Sequence, residues 1–243
     1  MPTTQEKMAD TSFRISGPLT LLKSDEASVT TAKGLPISFE IPYEIEEVIA
    51  LFEEVAEAEG WQHGGELRAH VPRSTYFALR EDGYTTSPAS ERDGRVVGGL
   101  QLVRADADGK ISSHQVWPEL SLKDVSRSAH IAVLAVARPW RGKSGGLFWL
   151  LTAAMWNFCV RSGIRDLYLE ATPRTMHCYE RFGWPLEAVG PLRRHWGEEC
   201  FPCHLSVRDV AGTLAERAVS SEAYRCILSK MVGGISAGGW REG

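Results

Sequence analysis

Val136-Ala137-Arg138-Pro139-Trp140-Arg141-Gly142-Lys143-Ser144-Gly145-Gly146 is the stretch that decides the fold of this chain. Before it runs Ala129-His130-Ile131-Ala132-Val133-Leu134-Ala135-Val136, an apolar run bounded by charged residues and proline, which suits a strand buried on both faces. After it, from Leu147 to Arg161, apolar residues recur too densely for a strand and predict a mostly buried helix stopped near Gly163. The small residues between leave backbone N–H groups free to point into one concavity at a helix N-terminus, an anion cradle. Arg141 and Lys143 add two positive charges, which suit a pyrophosphate better than a single carboxylate. The plain alternative is a tight strand-to-helix connection with no ligand. The loop is not a Walker loop, which closes on Gly-Lys-Ser/Thr, and not a G-x-G-x-x-G fingerprint.

On the N-terminal side, Ile45, Val48, Ile49, Phe52, Val55 and Ala56 recur at helical spacing between glutamates and predict a helix from Glu44 that ends at Gly60. Thr75 to Leu79 and Arg95 to Val103 read as two antiparallel strands. Downstream, Arg165 to Ala171 is a strand, Thr175 to Phe182 a short helix ended by Gly183, Pro185 to Val189 a strand, and Cys200 to Val207 the last one. The order implies a mixed α/β sheet with helices packed on it, in one domain. Residues 1–40 read as an arm or an extra hairpin, 41–220 as the domain, and 221–243 as a tail, Gly-rich from Val232.

Composition excludes several classes. A net charge of −4 gives no electrostatic case for nucleic acid, which needs dense Lys/Arg surfaces. The polar start, Met1 to Asp10, lacks the apolar core of a secretory signal, and no apolar run reaches the roughly 18 residues of a membrane span. A cytoplasmic protein is expected. Five cysteines, an odd number, argue for reduced thiols rather than a disulfide framework. Cys200-Phe201-Pro202-Cys203-His204 matches C-x-x-C-H, but no second ligand pair stands at zinc-finger spacing and the segment reads as a strand, so no metal is expected.

Two stretches carry a family resemblance. The loop from Val136 to Gly146 resembles the pantetheine-pyrophosphate loop of the GNAT acyltransferases, Arg-x-x-Gly-x-Gly after a strand, with Ser144 where the family usually has Gly. Cys178-Tyr179-Glu180-Arg181-Phe182-Gly183-Trp184 resembles the Tyr-x-x-x-Gly-aromatic stretch that comes later in the same family. Within it the chain is most similar to the autoinducer (acyl-homoserine-lactone) synthases and their N-acyl amino acid synthase relatives, through Gly183-Trp184-Pro185-Leu186, Gly94 to Leu102 and Val116-Trp117-Pro118-Glu119-Leu120. The resemblance implies a GNAT-like mixed central sheet flanked by helices, of α+β type. It also implies an acyl-CoA or acyl-acyl carrier protein co-substrate, no permanently bound cofactor, and a small-molecule amine acceptor such as S-adenosylmethionine or an amino acid. Three departures stand against the synthase pattern: Gln101 replaces an Arg, His130 and Val133 replace Glu-x-x-Arg, and the acidic pair after the first helix has no match between Trp61 and Arg80.

Acyl transfer to an amine needs the ammonium deprotonated, the carbonyl polarised and the leaving thiolate protonated. Tyr179 stands where the family often places its thiolate acid; the alternative is a Tyr packed under the cofactor. His130 occupies the strand position of the family's base; the alternative is a satisfied core histidine. The resemblance assigns Val136, Arg141, Gly142, Lys143, Ser144, Gly145 and Gly146 to the thioester carrier. Trp140, Phe148, Trp149, Trp156 and Phe158 either line an acyl tunnel or form core. Two rival readings are an acetyl-CoA-dependent N-acetyltransferase of small amines and a non-catalytic GNAT-like binding module.

Overall fold

The computed structural model describes residues 19–23, 29–30, 36–37, 44–81, 95–141 and 145–233. Along the chain these form β1 (Leu19–Lys23), β2 (Val29–Thr30), β3 (Pro36–Ile37), α1 (Glu44–Glu59), the single turn α2 (Glu66–Ala69), β4 (Ser74–Glu81), β5 (Val96–Arg104) and β6 (Ser128–Val136). Next come α3 (Gly145–Arg161), β7 (Asp166–Ala171), α4 (Pro173–Arg181), β8 (Glu187–Ala188), β9 (Arg193–His195), β10 (Glu198–Ser206), α5 (Val207–Ser220) and α6 (Glu222–Gly233).

From α1 to β10 the predicted elements follow one another in the predicted order, in a mixed sheet flanked by helices, and the structure adds α2 and β9 among them. Beyond it the structure adds detail. The strand expected over Pro185–Val189 shrinks to β8, since Pro185 has no N–H to give a ladder. Val207 begins α5 rather than ending a strand: Ser206 Oγ accepts from Asp209 N at 3.3 Å and caps the helix. The span read as a tail holds α6, whose Ile227 and Met231 are buried in the core; 234–243 lie outside the described residues. From the first 40 residues, β1 pairs with β4 and β2 with β3, and the rest of that arm lies outside the described residues.

The main sheet runs β1-β4-β5-β6-β7-β10-β8, with β9 also on β10. Neighbours are antiparallel except β6 and β7, which run parallel and so need a crossover, supplied by α3. One face carries Leu100, Leu102, Ala129, Ile131, Leu167 and Leu169 against α3, α5 and α6. The other carries Tyr76, Ala78, Val133 and Ala135 against Val48, Ile49 and Phe52 of α1. β6 thus buries both faces, as its apolar run implies, each large side chain contributing about 1.5–3 kcal/mol.

Two features of β6 open the centre of the sheet. Its pairing with β7 stops after Ser128↔Asp166, Ala129↔Leu167 and His130↔Tyr168. Beyond His130 it stays with β5 while β7 stays with β10, so the two strands part. The register with β5 also steps from Gln101↔Val133 to Leu102↔Ile131, leaving Ala132 as an extra residue, a bulge that bends the strand at the opening.

Helix α1 lies close on β5 because Gly99 has no side chain: a Cβ there would meet Phe52 Cε1 at 2.7 Å and Val48 Cγ1 at 2.9 Å. Gly99→Val is expected to lower the unfolding free energy by about 1–3 kcal/mol through overpacking. Chemical denaturation measures this, and an unchanged midpoint would mean that the helix does not pack so near.

Candidate active site

Where β6 leaves β7 the structure has a cavity of about 160 Å³. Ile131 to Leu134 line it from the bulged strand, Leu169 and Glu170 from β7, Thr175 and Tyr179 from α4, and His195, Trp196 and Glu198 from the β9–β10 hairpin, with Trp61 at its edge. From Ile131 onward the β7-side edge of β6 meets no neighbouring strand, so backbone groups there face the cavity.

Helix α4 explains why Tyr179 stands here. Thr172 caps its start, accepting from Thr175 N at 3.1 Å, and Pro173 needs no partner for an N–H in the first turn. At the other end Gly183 has φ 85°, Gly183 N donates to Glu180 O at 2.9 Å and Trp184 N donates to Tyr179 O at 2.9 Å. That is a glycine-terminated helix end in which the residues at either side of the turn touch, and the Trp184 ring stacks on Tyr179 with centroids 5.4 Å apart and planes 16° apart. The Tyr-x-x-x-Gly-aromatic spacing is therefore a helix-stop geometry that fixes the Tyr179 ring. Burial pushes its phenol up to about 12, so it stays a neutral O–H donor through the physiological range.

On the facing strand Glu170 lies in an otherwise apolar segment, its side chain 8% exposed. His130 Nε2 lies 2.9 Å from Glu170 Oε2, Ser113 Oγ donates to Glu170 Oε1, and Ser112 Oγ lies 2.8 Å from His130 Nδ1. A carboxylate only accepts, so Nε2 carries the hydrogen of the His130–Glu170 bond. Burial raises the Glu170 carboxyl, but the His130 ring and the Ser113 hydroxyl outweigh it and hold the group well below the usual carboxylate range. Glu170 is an anion fixed at the cavity wall.

His195 is the second imidazole. It ends β9, its ring stacks on Trp196 at 5.0 Å and lies 5.9 Å from Trp117. Burial lowers its pKa from 6.5, with Glu170 and Glu66 opposing, so near neutrality it is an unprotonated base. His70 is likewise lowered from 6.5, by burial first and then by Arg73. For both rings the unfolded chain binds more protons just below 6.5 than the folded one, so stability is full above 6.5 and falls as pH falls toward the lowered value. We expect the urea midpoint to drop between neutral pH and about pH 5, and His195→Gln to make that drop shallower. A midpoint flat across this range would contradict the buried, neutral rings.

The hairpin that carries His195 is strained. Trp196 has φ 49°, the one non-glycine residue with positive φ among those described, and Gly197 comes next with φ 92°. Two such residues make the tight turn that joins twisted strands, where Asn-Gly is usual and a Trp costs about 1–2 kcal/mol. What holds it is contact: Gln62 N donates to Trp196 O at 3.0 Å, Trp196 Nε1 donates to Glu66 Oε2 at 3.2 Å, and the ring lies 5.9 Å from that of Trp61. Trp61 is placed by the glycine stop of α1, with Gly60 at φ 72° and Trp61 N donating to Ala56 O at 2.8 Å.

Comparison of this structure with solved ones identifies the fold. An N-acyl amino acid synthase from uncultured soil microbes, FeeM, superposes with a TM-score of 0.54 at 12% identity, covering 81% of this chain and 96% of that one. The CoA-dependent acyl-homoserine lactone synthase BjaI, with MTA, gives 0.53 at 17% identity over 74% of this chain and 84% of that one. The AHL synthase LasI gives 0.53 at 14% identity over 78% and 89%. This chain has the GNAT fold. No protein-family model matches its sequence, and no curated protein does so either.

In the GNAT fold of this chain the residues singled out by sequence fall into three groups. Tyr179 lines the cavity; His130 stands one layer behind Glu170, both its ring nitrogens engaged. Val136 ends β6 and its carbonyl accepts from Arg141 Nε at 2.8 Å, while Arg141 Nη1 pairs with Glu59 at the end of α1. Gly145 and Gly146 begin α3; Gly142, Lys143 and Ser144 lie outside the described residues.

The aromatic residues form core. Phe148 sits among Tyr179, Phe182 and Trp184, Trp156 Nε1 donates to Val207 O at 3.0 Å, and Phe158 packs on Phe77. Cys200 and Cys203, three apart on β10, point to opposite faces of the sheet, and burial pushes their thiols up to about 11 and about 12. Among the described residues no group of three His, Cys, Asp or Glu is arranged to hold a metal ion, and no helix is long and apolar enough to cross a membrane.

Sequence reasoning missed Glu170, His195, Trp196 and Trp61. A lone acid in the apolar run Leu167–Ala171 was the available signal for Glu170. For His195 and Trp196 it was the turn pair Trp196-Gly197 between β9 and β10, and for Trp61 its place just after the glycine stop of α1.

Proposed function

We propose that the chain is an N-acyltransferase that takes an acyl group from a pantetheine thioester, on coenzyme A or acyl carrier protein, and passes it to a small amine. In the form the fold neighbours suggest, the acceptor is S-adenosylmethionine or an amino acid and the product an acyl-homoserine lactone or acyl-amino acid. One observation carries the reading: a neutral phenol, Tyr179, and an unprotonated imidazole, His195, line one cavity at the parting of two parallel strands, with the Glu170 anion beside them.

The steps derive from those groups. His195 keeps the acceptor nitrogen unprotonated, and Glu170, held by His130 and Ser113, orients the amine's hydrogens. The nitrogen attacks the thioester carbonyl, whose oxygen is met by backbone N–H groups along the open edge of β6 near Ala132. A C–N bond forms and the C–S bond breaks; His195 takes the nitrogen's proton and Tyr179 gives its own to the departing sulfur. The products are an amide and a free thiol, and the phenol is reprotonated from the imidazolium through solvent. The carrier's diphosphate rests on the amides that begin α3 at Gly145 and Gly146, with Gly142, Lys143 and Ser144 before them; Arg141 ties that loop to Val136 and Glu59.

A second reading, acetyl-CoA as donor to a small amine, is favoured by the modest cavity and by the packing of Phe148, Trp156 and Phe158 on other core groups. Mass spectrometry of lipid extracts from expressing cells separates the two. Acyl-homoserine lactones or acyl-amino acids are expected under the first reading, and their absence would remove it.

A further inference from the structure

His195 owes its place to a turn that is held from outside its own hairpin. The backbone of that turn is tied by Gln62, whose N–H donates to Trp196 O at 3.0 Å. Its ring is tied separately: Trp196 Nε1 donates to Glu66 Oε2 at 3.2 Å, and the His195 ring stacks on that indole with centroids 5.0 Å apart and planes 26° apart. An indole nitrogen only donates, and a carboxylate gives it a charge-assisted bond, stronger than a neutral one. Glu66 is itself firmly seated. It opens α2, a single turn whose Leu67 is 1% exposed in the core beside α1, and whose Arg68 reaches Glu46 and Glu53 of α1 at 2.8 Å and 2.9 Å. Glu66 is not among the residues that line the cavity.

We infer that Glu66 is a positioning residue for the proposed transfer: its bond fixes the Trp196 indole, and the indole sets the His195 ring on the wall of the cavity. The inference rests on the acyl-transfer reading and adds to it what aims the base. Trp196 holds φ 49°, a conformation that a side chain disfavours, so the turn needs partners outside the hairpin to persist. Trp61 meets the same ring at 5.9 Å and a tilt of 39°, a contact with little directional preference; the hydrogen bond fixes which edge of the indole points where. A base displaced by about 1 Å loses about 10²-fold in rate, so a bond one ring away from the chemistry is enough to matter. Glu66 also faces His195 with its charge, as Glu170 does; both oppose the lowering by burial, and His130 adds to it. Bond and charge are separable by substitution.

Thiol release and amide mass, measured with acetyl-CoA and octanoyl-CoA as donors and S-adenosylmethionine, methionine and butylamine as acceptors, give the fastest pair for comparing variants. Glu66→Ala is expected to lower kcat about tenfold with KM for the thioester within about twofold. Glu66→Gln keeps an oxygen for the indole N–H and should stay within about threefold of the parent kcat. Trp196→Phe keeps a ring and loses the N–H, so it should fall as Glu66→Ala does, and joining the two should cost no more than either alone. In a His195→Gln background Glu66→Ala should cost less than about twofold, because the group it aims is gone. Parental kcat in Glu66→Ala, equal losses in Glu66→Ala and Glu66→Gln, or the same loss with and without His195 would overturn the positioning role and leave acyl transfer standing. No thiol release by the parent protein with any pair would overturn both.

Discussion

Tyr179→Phe is expected to lower kcat by about 10²-fold or more and to leave KM for the thioester within about twofold. The ring survives the change, so the stack on Trp184 at 5.4 Å and the contact with Phe148 at 5.9 Å remain. What is lost is the phenolic proton that the proposed mechanism delivers to the leaving sulfur. Because burial pushes the phenol up to about 12, the parent protein should show no loss of kcat from this group across the working alkaline range. A steady-state comparison of the two proteins measures the effect. A variant with parental kcat would reduce Tyr179 to a packing residue, which is the alternative its place under Trp184 leaves open.

Glu170→Ala is expected to destabilise the protein by about 3–5 kcal/mol, because it strands a buried histidine and a buried hydroxyl that now share one carboxylate. His130 is 2% exposed and cannot turn to water for a new partner. Glu170→Gln keeps an acceptor for Nε2 and should cost only about 1–3 kcal/mol, while still slowing turnover through the lost charge. Replacing both partners by apolar groups, His130→Met with Glu170→Leu, should recover part of the stability but none of the activity. The sign with pH is set by the depressed carboxyl. Its contribution is complete above 4.5, the ordinary value, and disappears as pH falls through the lowered one, so the parent should lose stability in acid more steeply than Glu170→Gln. Denaturant titrations at several pH values read all of these. A Glu170→Ala cost below about 1 kcal/mol would show that the pair is not buried in the way described.

The frame of the fold was legible because it is written in short-range signals. Helical spacing ended by Gly60, the apolar run around Ile131, and the Gly183 stop of α4 are each set by local backbone chemistry. Tyr179 was singled out through the family resemblance, and the structure adds that its spacing to Gly183 and Trp184 is a helix-stop geometry. The rest of the site depends on register. Glu170 reaches His130 only because β6 and β7 run parallel and part after the His130↔Tyr168 pair, which no local pattern encodes. His195 and Trp196 come from a hairpin whose tip bends back onto the loop after α1, more than a hundred residues earlier, through a turn that local preference opposes. The helices α5 and α6 were missed in part because α5 begins inside an apolar stretch that reads equally well as the end of β10.

The expectations on turnover depend on the opening between β6 and β7 being a place where a thioester meets an amine. Thiol release from an acyl-CoA by the purified protein, followed with and without a pool of small amines, tests that directly. Release should require amine, yield amide in equal amount, and fall with Tyr179→Phe and with His195→Gln. Release that ignores both amine and these two substitutions, or no release from any thioester, would contradict it.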